Sequence, residues 1–189
     1  MQFSETEVKE LVISAVVIGF SFAWIMRGSF GNFLAVFVVM LLSVGAAFIC
    51  HELAHKFTAQ HYGCWAEYRM WETGLILAFF LAVSVGIVFA APGAVYITTD
   101  FYGISKEKNG IISASGPVTN LILALLFFPL TRYTGLLGML GHFGFLINTW
   151  LALFNMIPFP PLDGSKVRAW DSRVWIAITL TSFILLRIA

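Results

Sequence analysis

Residues 35–55 read AVFVVMLLSVGAAFICHELAH, an apolar run that ends in the pentad His51-Glu52-x-x-His55. The residues before the pentad carry no charge, and the run is long enough to cross a bilayer. On a helix, the two histidines lie one turn apart on one face, where both can bind a zinc ion with Glu52 beside them as a base. Ionisable residues inside a membrane segment are costly, so the pentad predicts a functional site there.

The composition indicates an integral membrane protein. Of the 189 residues, 59% are hydrophobic and only 11% are charged, whereas a soluble domain carries about 25% charged residues. We therefore predict a single membrane-embedded domain over residues 1–189, with a motif-bearing core at about 32–164. A net charge of +1 gives no indication of a nucleic-acid partner. Cys50 and Cys64 form no disulfide framework, and Cys50 is expected to be a small buried apolar residue.

Several apolar runs are long enough to span a bilayer. Five of them cover about Val8–Met26, Asn32–Ala59, Ile111–Leu130, Gly135–Met156 and Val174–Ile188. A further stretch, Leu75–Ala91, is marginal because it contains Gly86 and ends at Pro92. The predicted fold is an all-α polytopic membrane protein with five to six transmembrane helices.

The distribution of Lys and Arg predicts the orientation in the membrane. If the N-terminus is cytoplasmic, the second span returns to the cytoplasm, and Lys56 and Arg69 follow the pentad on that side. The balance favours this arrangement if Lys106 and Lys108 are cytoplasmic too. That condition requires Leu75–Ala91 to be a re-entrant segment covered by protein or a watery cavity. We predict a multi-pass protein of the cell membrane with its site toward the cytoplasm.

Two stretches beside this segment resemble short strands. Cys64–Trp71 and Val95–Asp100 combine aromatic and β-branched residues with nearby glycines, which favours strands close to the cytoplasmic membrane surface. An irregular interfacial loop, with its tryptophans and tyrosine in the aromatic belt, explains the same residues equally well. Both interpretations stay open at this point.

Two histidines do not complete a catalytic zinc site, which usually has three protein ligands and a water. Asp163 is the favoured third ligand, because it is the only charge between Arg132 and Lys166 and follows a proline-rich break. Such a break is tolerated where a polar cavity is near. The fourth span also returns Asp163 to the side of the pentad. His142, near the start of that span, is expected to be a packing or interfacial residue.

These motifs together resemble the site-2 protease family of intramembrane zinc metalloproteases. The resemblance rests on His51-Glu52-x-x-His55, on Ser115-Gly-Pro-x-x-Asn120, and on Asn155-x-x-Pro-x-x-Pro-Leu-Asp163-Gly164. It covers roughly residues 51–164, and the chain is expected to be a minimal form without the PDZ and CBS modules of many members. It implies an intramembrane metalloendopeptidase that hydrolyses peptide bonds in or near the transmembrane segments of membrane proteins.

The residues take defined roles in this interpretation. One zinc ion per chain would be held by His51, His55 and Asp163, with Glu52 as general base and then acid. Asn155 and Asn120 would bind the substrate backbone or the oxyanion. Interhelical hydrogen bonding is the alternative for both asparagines. Binding of the substrate or oxyanion is favoured for Asn155. For Asn120, that role and interhelical hydrogen bonding are equally favoured.

The expected partners are the lipid bilayer and a transmembrane segment of the substrate. Such a segment must unwind locally before hydrolysis, and its extended chain could then pair with a strand edge in Cys64–Trp71 or Val95–Asp100. A membrane-embedded metal transporter or a non-proteolytic scaffold is the alternative function. A transporter would favour an internal repeat, and an inactive scaffold would be expected to have lost Glu52 or a ligand; the sequence has neither feature. A zinc peptidase of another family would usually need a glutamate ligand on a helix.

Overall fold

The computed structural model describes residues 3–28, 32–88, 92–98 and 103–188. These residues form a mostly helical protein with one small sheet. The helices are α1 Glu5–Ile25, α2 Phe33–Met40, α3 Ala46–His61, α4 Glu72–Ser84, α5 Lys106–Phe127, α6 Gly135–Asn155, α7 Asp163–Trp170 and α8 Ser172–Arg187. The strands are β1 Trp65–Met70 and β2 Gly93–Thr98.

Four helical stretches in the described residues are long and apolar enough to cross a membrane. They are Glu5–Ile25, Phe33–His61, Lys106–Arg132 and Gly135–Asn155. Each coincides with one of the first four predicted spans. The remaining apolar helices are shorter, with 13 residues in α4 and 16 in α8. The last residues of the predicted segment Leu75–Ala91 lie outside the described residues.

Polar side chains fix where several helices begin. Ser4 accepts a hydrogen bond from the Glu7 N–H at the start of α1, and Asn32 accepts from the first turn of α2. Ser105 accepts from the Lys108 N–H at the start of α5. Each cap satisfies a backbone donor that has no partner within its own helix.

A π-helical turn, Leu41–Gly45, joins α2 to α3 without a break. Its backbone is wider than an α-helical turn, and such turns are frequent near functional sites. The Ser43 hydroxyl donates to the Val39 carbonyl inside this turn. The pentad therefore lies on a continuous helix of 29 residues, about two turns after the wide turn.

Helix α5 lies at the centre of the motif-bearing helices, in contact with α3, α6 and α7. Close approach depends on small residues at the contact points. A side chain at Gly144 of α6 would put its Cβ 2.3 Å from the Phe127 ring of α5. A hydrophobic cluster that includes Met40, Val44, Ala47 and Phe143 packs the motif helix against α1 and α6.

The two strands pair in antiparallel register, with Tyr68 opposite Val95 and Met70 opposite Gly93. One face of the sheet packs inward, where Tyr68 is fully buried and stacks edge-on against Phe48 of α3. The strands predicted in Cys64–Trp71 and Val95–Asp100 are therefore present, and the irregular-loop alternative is wrong for the described part. Residues 99 and 100 lie outside the described residues.

Candidate metal centre

Three buried side chains converge at the middle of the helical core. His51 and His55 project from α3, and Asp163 is the first residue of α7. The two Nε2 atoms lie 3.0 Å apart, and Asp163 Oδ2 lies 3.3 Å from His51 Nε2 and 3.2 Å from His55 Nε2. The structure thus brings together the three residues predicted as ligands, and together they could hold one metal ion.

The outer nitrogens of both rings are engaged. His51 Nδ1 is 2.6 Å from Asn120 Oδ1, and His55 Nδ1 is 2.8 Å from the Ile112 carbonyl oxygen. Both partners are acceptors, so each Nδ1 carries the hydrogen and each neutral ring presents a lone pair at Nε2. This is the tautomer that a metal-binding histidine uses, with its orientation fixed by the second hydrogen bond.

The donor set fits zinc in chemistry and spacing. Two imidazole nitrogens and one carboxylate oxygen are common zinc ligands, and ligand distances of about 2.0–2.1 Å in a tetrahedron imply separations of about 3.3 Å between donors. The three observed separations, 3.0–3.3 Å, match that value. Two nitrogen lone pairs and a carboxylate facing one another repel, and a bound cation removes this repulsion.

Close backbone approach from α5 confines the two rings. A Cβ at Gly116 would lie 2.5 Å from His55 Nε2 and 2.7 Å from His51 Cε1. The glycine of the predicted Gly-Pro-x-x-Asn segment therefore lets α5 pack directly against the imidazoles. Substitution here would displace the donor atoms themselves, since no flexible side chain lies in between.

The loop before α7 brings Asp163 to this depth. A Cβ at Gly164 would lie 2.2 Å from the Met156 carbonyl oxygen, so only glycine lets α7 begin this close to the end of α6. The carboxylate is the form of Asp163 that binds a cation.

Glu52 lies beside this cluster and is 9% exposed. Its Oε2 accepts a hydrogen bond from the Val95 N–H of β2 at 3.0 Å. The carboxylate therefore lies between the motif helix and the sheet. This contact was not predicted, because Val95 carries no polar side chain and the hydrogen bond uses its backbone N–H.

Asn120 belongs to a chain of buried amides. Its Oδ1 accepts from His51, and its Nδ2 donates to the Ala47 carbonyl at 3.1 Å and to Asn148 Oδ1 at 2.9 Å. Asn148 then donates to the Gly144 carbonyl of its own helix. Both side chains are fully buried. These two contacts use both amide hydrogens of Asn120. Asn148 was missed, although an asparagine in an apolar helix is itself a signal for interhelical bonding.

The other candidate residues form no hydrogen bond with the three donors among the residues that the structure describes. Asn155 is half-buried near the end of α6 and donates to the Leu151 carbonyl of the same helix at 3.0 Å. His142 is exposed on α6, and His61 is exposed at the end of α3. Cys50 is partly buried and contributes no atom to the cluster.

Comparison with known proteins assigns the chain to a family. A relative from Methanocaldococcus jannaschii, named a "Putative zinc metalloprotease", is 45% identical over 183 residues, which are 95% of this chain and 92% of the relative. The chain belongs to the site-2 protease family. A "Putative zinc metalloprotease" of Mycolicibacterium smegmatis is 30% identical over 82% of this chain and 66% of its own length. One from Bacillus subtilis is 27% identical over 68% and 66%.

Membership of the site-2 protease family confirms the prediction made from the motifs, and with it zinc as the cofactor. The relatives' names and the apolar helices together identify a membrane-associated metalloprotease. No protein-family model matches the chain. No solved structure matches it significantly either.

Proposed function

We propose that this member of the site-2 protease family is an intramembrane endopeptidase that cuts peptide bonds in or near the transmembrane segments of membrane proteins. The observation that carries the proposal is the buried donor triad of His51, His55 and Asp163, in which an apolar helix of spanning length supplies both histidines and Glu52 beside them. A charged site at such a position is costly, and its chemistry accounts for that cost.

The residues divide the catalytic work. His51 Nε2, His55 Nε2 and Asp163 Oδ2 would hold the zinc ion, as their spacing supports. When bound, zinc supplies Lewis acidity, which activates water for attack and polarises the scissile carbonyl. The Glu52 carboxylate accepts the proton of the attacking water and delivers a proton to the leaving amine. Asn155, whose second amide hydrogen is not used by Leu151, would bind the substrate backbone or the oxyanion.

The sheet provides a place for an unwound substrate. Antiparallel pairs alternate between bonded and non-bonded positions, and the bond from the Val95 N–H to Glu52 marks Tyr68–Val95 as a non-bonded pair. The backbone groups of Val95 and Ile97 therefore face the outer edge of β2. We propose that an extended substrate segment pairs with this edge, which brings its carbonyls beside Glu52.

The proposed membrane arrangement has a single domain with five to six crossings. The four long apolar helices support four of them, and the 16-residue α8 would be a fifth. The 13-residue α4 is short for a full crossing, which supports a re-entrant segment. With this arrangement the zinc site opens toward the cytoplasm, as the distribution of Lys and Arg predicts.

Zinc removal tests the proposed function directly. The protein purified in detergent should contain about one zinc ion per chain by elemental analysis and cleave a membrane-spanning test substrate. Chelation should abolish cleavage, and one equivalent of zinc should restore it. Failure to cut the membrane-spanning substrate, or full cleavage after complete zinc removal, would contradict the proposal.

We also propose that Asn120 positions His51. Asn120→Leu should weaken zinc binding about 10- to 100-fold, the usual cost of losing the partner that orients a metal-binding histidine. Zinc affinity would be measured by competition with a chelator. The matched control is Thr149→Val, because Thr149 is equally buried and, within the described part of the chain, its hydroxyl donates only to Phe145 of its own helix. Equal zinc affinity in both variants would rule out a positioning role for Asn120.

A further inference from the structure

Two carboxylates of α1 cover the outer edge of β1. The Tyr68 N–H donates to Glu7 Oε1, and the Met70 N–H donates to Glu10 Oε2, both at 2.9 Å. Tyr68 and Met70 are two residues apart, so both N–H groups leave the same edge, away from β2. Glu7 and Glu10 are three apart and lie on one face of their helix. The two glutamates thus accept the hydrogen bonds that the Tyr68 and Met70 N–H groups would otherwise donate to the carbonyls of a third strand.

Buried charge fixes this cover in place. Glu7 is fully buried, and its Oε2 forms an ion pair with Lys56, which is 1% exposed and directly follows His55. Glu10 lies 3.7 Å from Arg69, which is also 2.9 Å from Glu67. A buried pair of this kind is costly to break, because either partner alone would be an uncompensated charge. Glu7 is therefore part of the packed core, whereas Glu10 is half-buried at the other end of the edge.

The outer edge of β2 is covered differently. Glu52 accepts from the Val95 N–H, and Val95 is the residue opposite Tyr68, so one cross-strand pair has a glutamate at each end. Glu7 is held by Lys56, whereas Glu52 has no ion pair with a Lys or Arg among the residues that the structure describes. An incoming carbonyl can replace Glu52 at Val95 without breaking a buried ion pair. It cannot do so at Tyr68.

We propose that Glu7 and Glu10 block the outer edge of β1, so that an extended peptide pairs only with β2, beside Glu52. The inference rests on the proposed peptidase function. It adds the two residues that restrict peptide binding to the edge beside Glu52, where cleavage can occur. Exposed strand edges accept further strands readily, and an inward-pointing charge is one way to prevent it. A peptide on β1 would lie on the far side of the sheet from Glu52 and would not be cut.

Cross-linking shows directly which strand edge the peptide contacts. A photoreactive residue would be placed at Trp65 or at Tyr96, which are both exposed and lie on one face of the sheet, one on each strand. The protein would carry Glu52→Gln and be mixed with an uncleaved membrane-spanning test peptide in detergent. We expect cross-links at position 96 and few at position 65. Equal cross-linking at both positions would overturn the proposal.

Glu10 gives the sharper variant, because its loss leaves Arg69 paired with Glu67. Glu10→Met removes the acceptor at the Met70 N–H, so cross-linking at position 65 should rise. In the active protein, if one chain holds a single peptide on either edge, peptide held on β1 is bound but not cut. The values of kcat and KM should then fall together, about twofold if both edges bind equally, with kcat/KM unchanged. Glu10→Gln keeps an acceptor and should behave as the wild type.

The contrary results are distinct. A fall in kcat/KM, or identical behaviour of Glu10→Met and Glu10→Gln, would show a structural role instead of edge selection. The double variant Glu7→Met, Lys56→Met removes both charges of the buried pair together, and should raise the position-65 cross-link further. No rise in either variant would overturn the proposal. Absence of cleavage by the wild type would contradict the peptidase function itself, whereas the cross-linking pattern is read in uncleaved peptide.

Discussion

Replacing Glu52 with glutamine should reduce cleavage of a membrane-spanning substrate by about 100- to 10,000-fold, the usual contribution of a general acid–base group. Glutamine keeps the size of the side chain and can still accept from the Val95 N–H, so the contact with β2 is retained. It cannot take a proton from water. Zinc content should remain at about one ion per chain, because Glu52 is not one of the three converging donors.

The comparison requires a matched change elsewhere. Glu72→Gln makes the same substitution at an exposed glutamate in the first turn of α4, and should leave both zinc content and cleavage unchanged. Initial rates would be measured with both variants and the wild type in the same detergent. Unchanged cleavage by Glu52→Gln would remove Glu52 from the mechanism, and loss of zinc would indicate that it acts as a ligand.

Replacing Asp163 with alanine should remove zinc from the purified protein. The carboxylate provides one of three donors and the only negative charge among them, so its loss should lower zinc affinity by more than the roughly 10- to 100-fold seen when a partner of a ligand is lost. Cleavage should disappear in parallel. Elemental analysis and competition with a chelator measure the first effect, and the rate with the membrane-spanning substrate measures the second.

The variant Asp163→Asn tests the effect of the side chain's negative charge separately from the effect of its shape. Asparagine has nearly the same volume and still offers an oxygen, so packing at the start of α7 beside Gly164 should be preserved. Zinc affinity should lie between that of the wild type and that of the alanine variant, because a neutral oxygen is a weaker ligand for zinc than a carboxylate. Full zinc retention in Asp163→Ala would show that the third donor is another residue.

The sequence predicted those parts of the site that depend on local spacing or on scarcity of charge. His51 and His55 are four residues apart, so any helix places them on one face. Asp163 was predicted as a ligand because few ionisable residues occur in the apolar runs, and because the number of crossings returned it to the depth of the pentad. The structure brings these three side chains within ligand spacing of one another.

The contacts that were not predicted are made by elements distant in sequence. The Val95 N–H at Glu52 and the Tyr68 N–H at Glu7 are backbone donors, which no residue type reveals. The role of Asn120 stayed open because an amide can bind a substrate or a neighbouring helix, and its contact with His51 could not be predicted from residue type. Whether α4 and α8 cross the membrane depends on the bilayer as well as the chain, so the number of crossings stays a prediction.

The π-helical turn at Leu41–Gly45 divides one continuous helix into two helical phases. A single residue beyond α-helical spacing turns everything after it by about 100° about the helix axis. The face of α2 that packs on α1 and the face of α3 that carries the pentad can therefore be set independently. A related chain without the additional residue would need a one-residue gap within this turn, ahead of His51, for both faces to superpose.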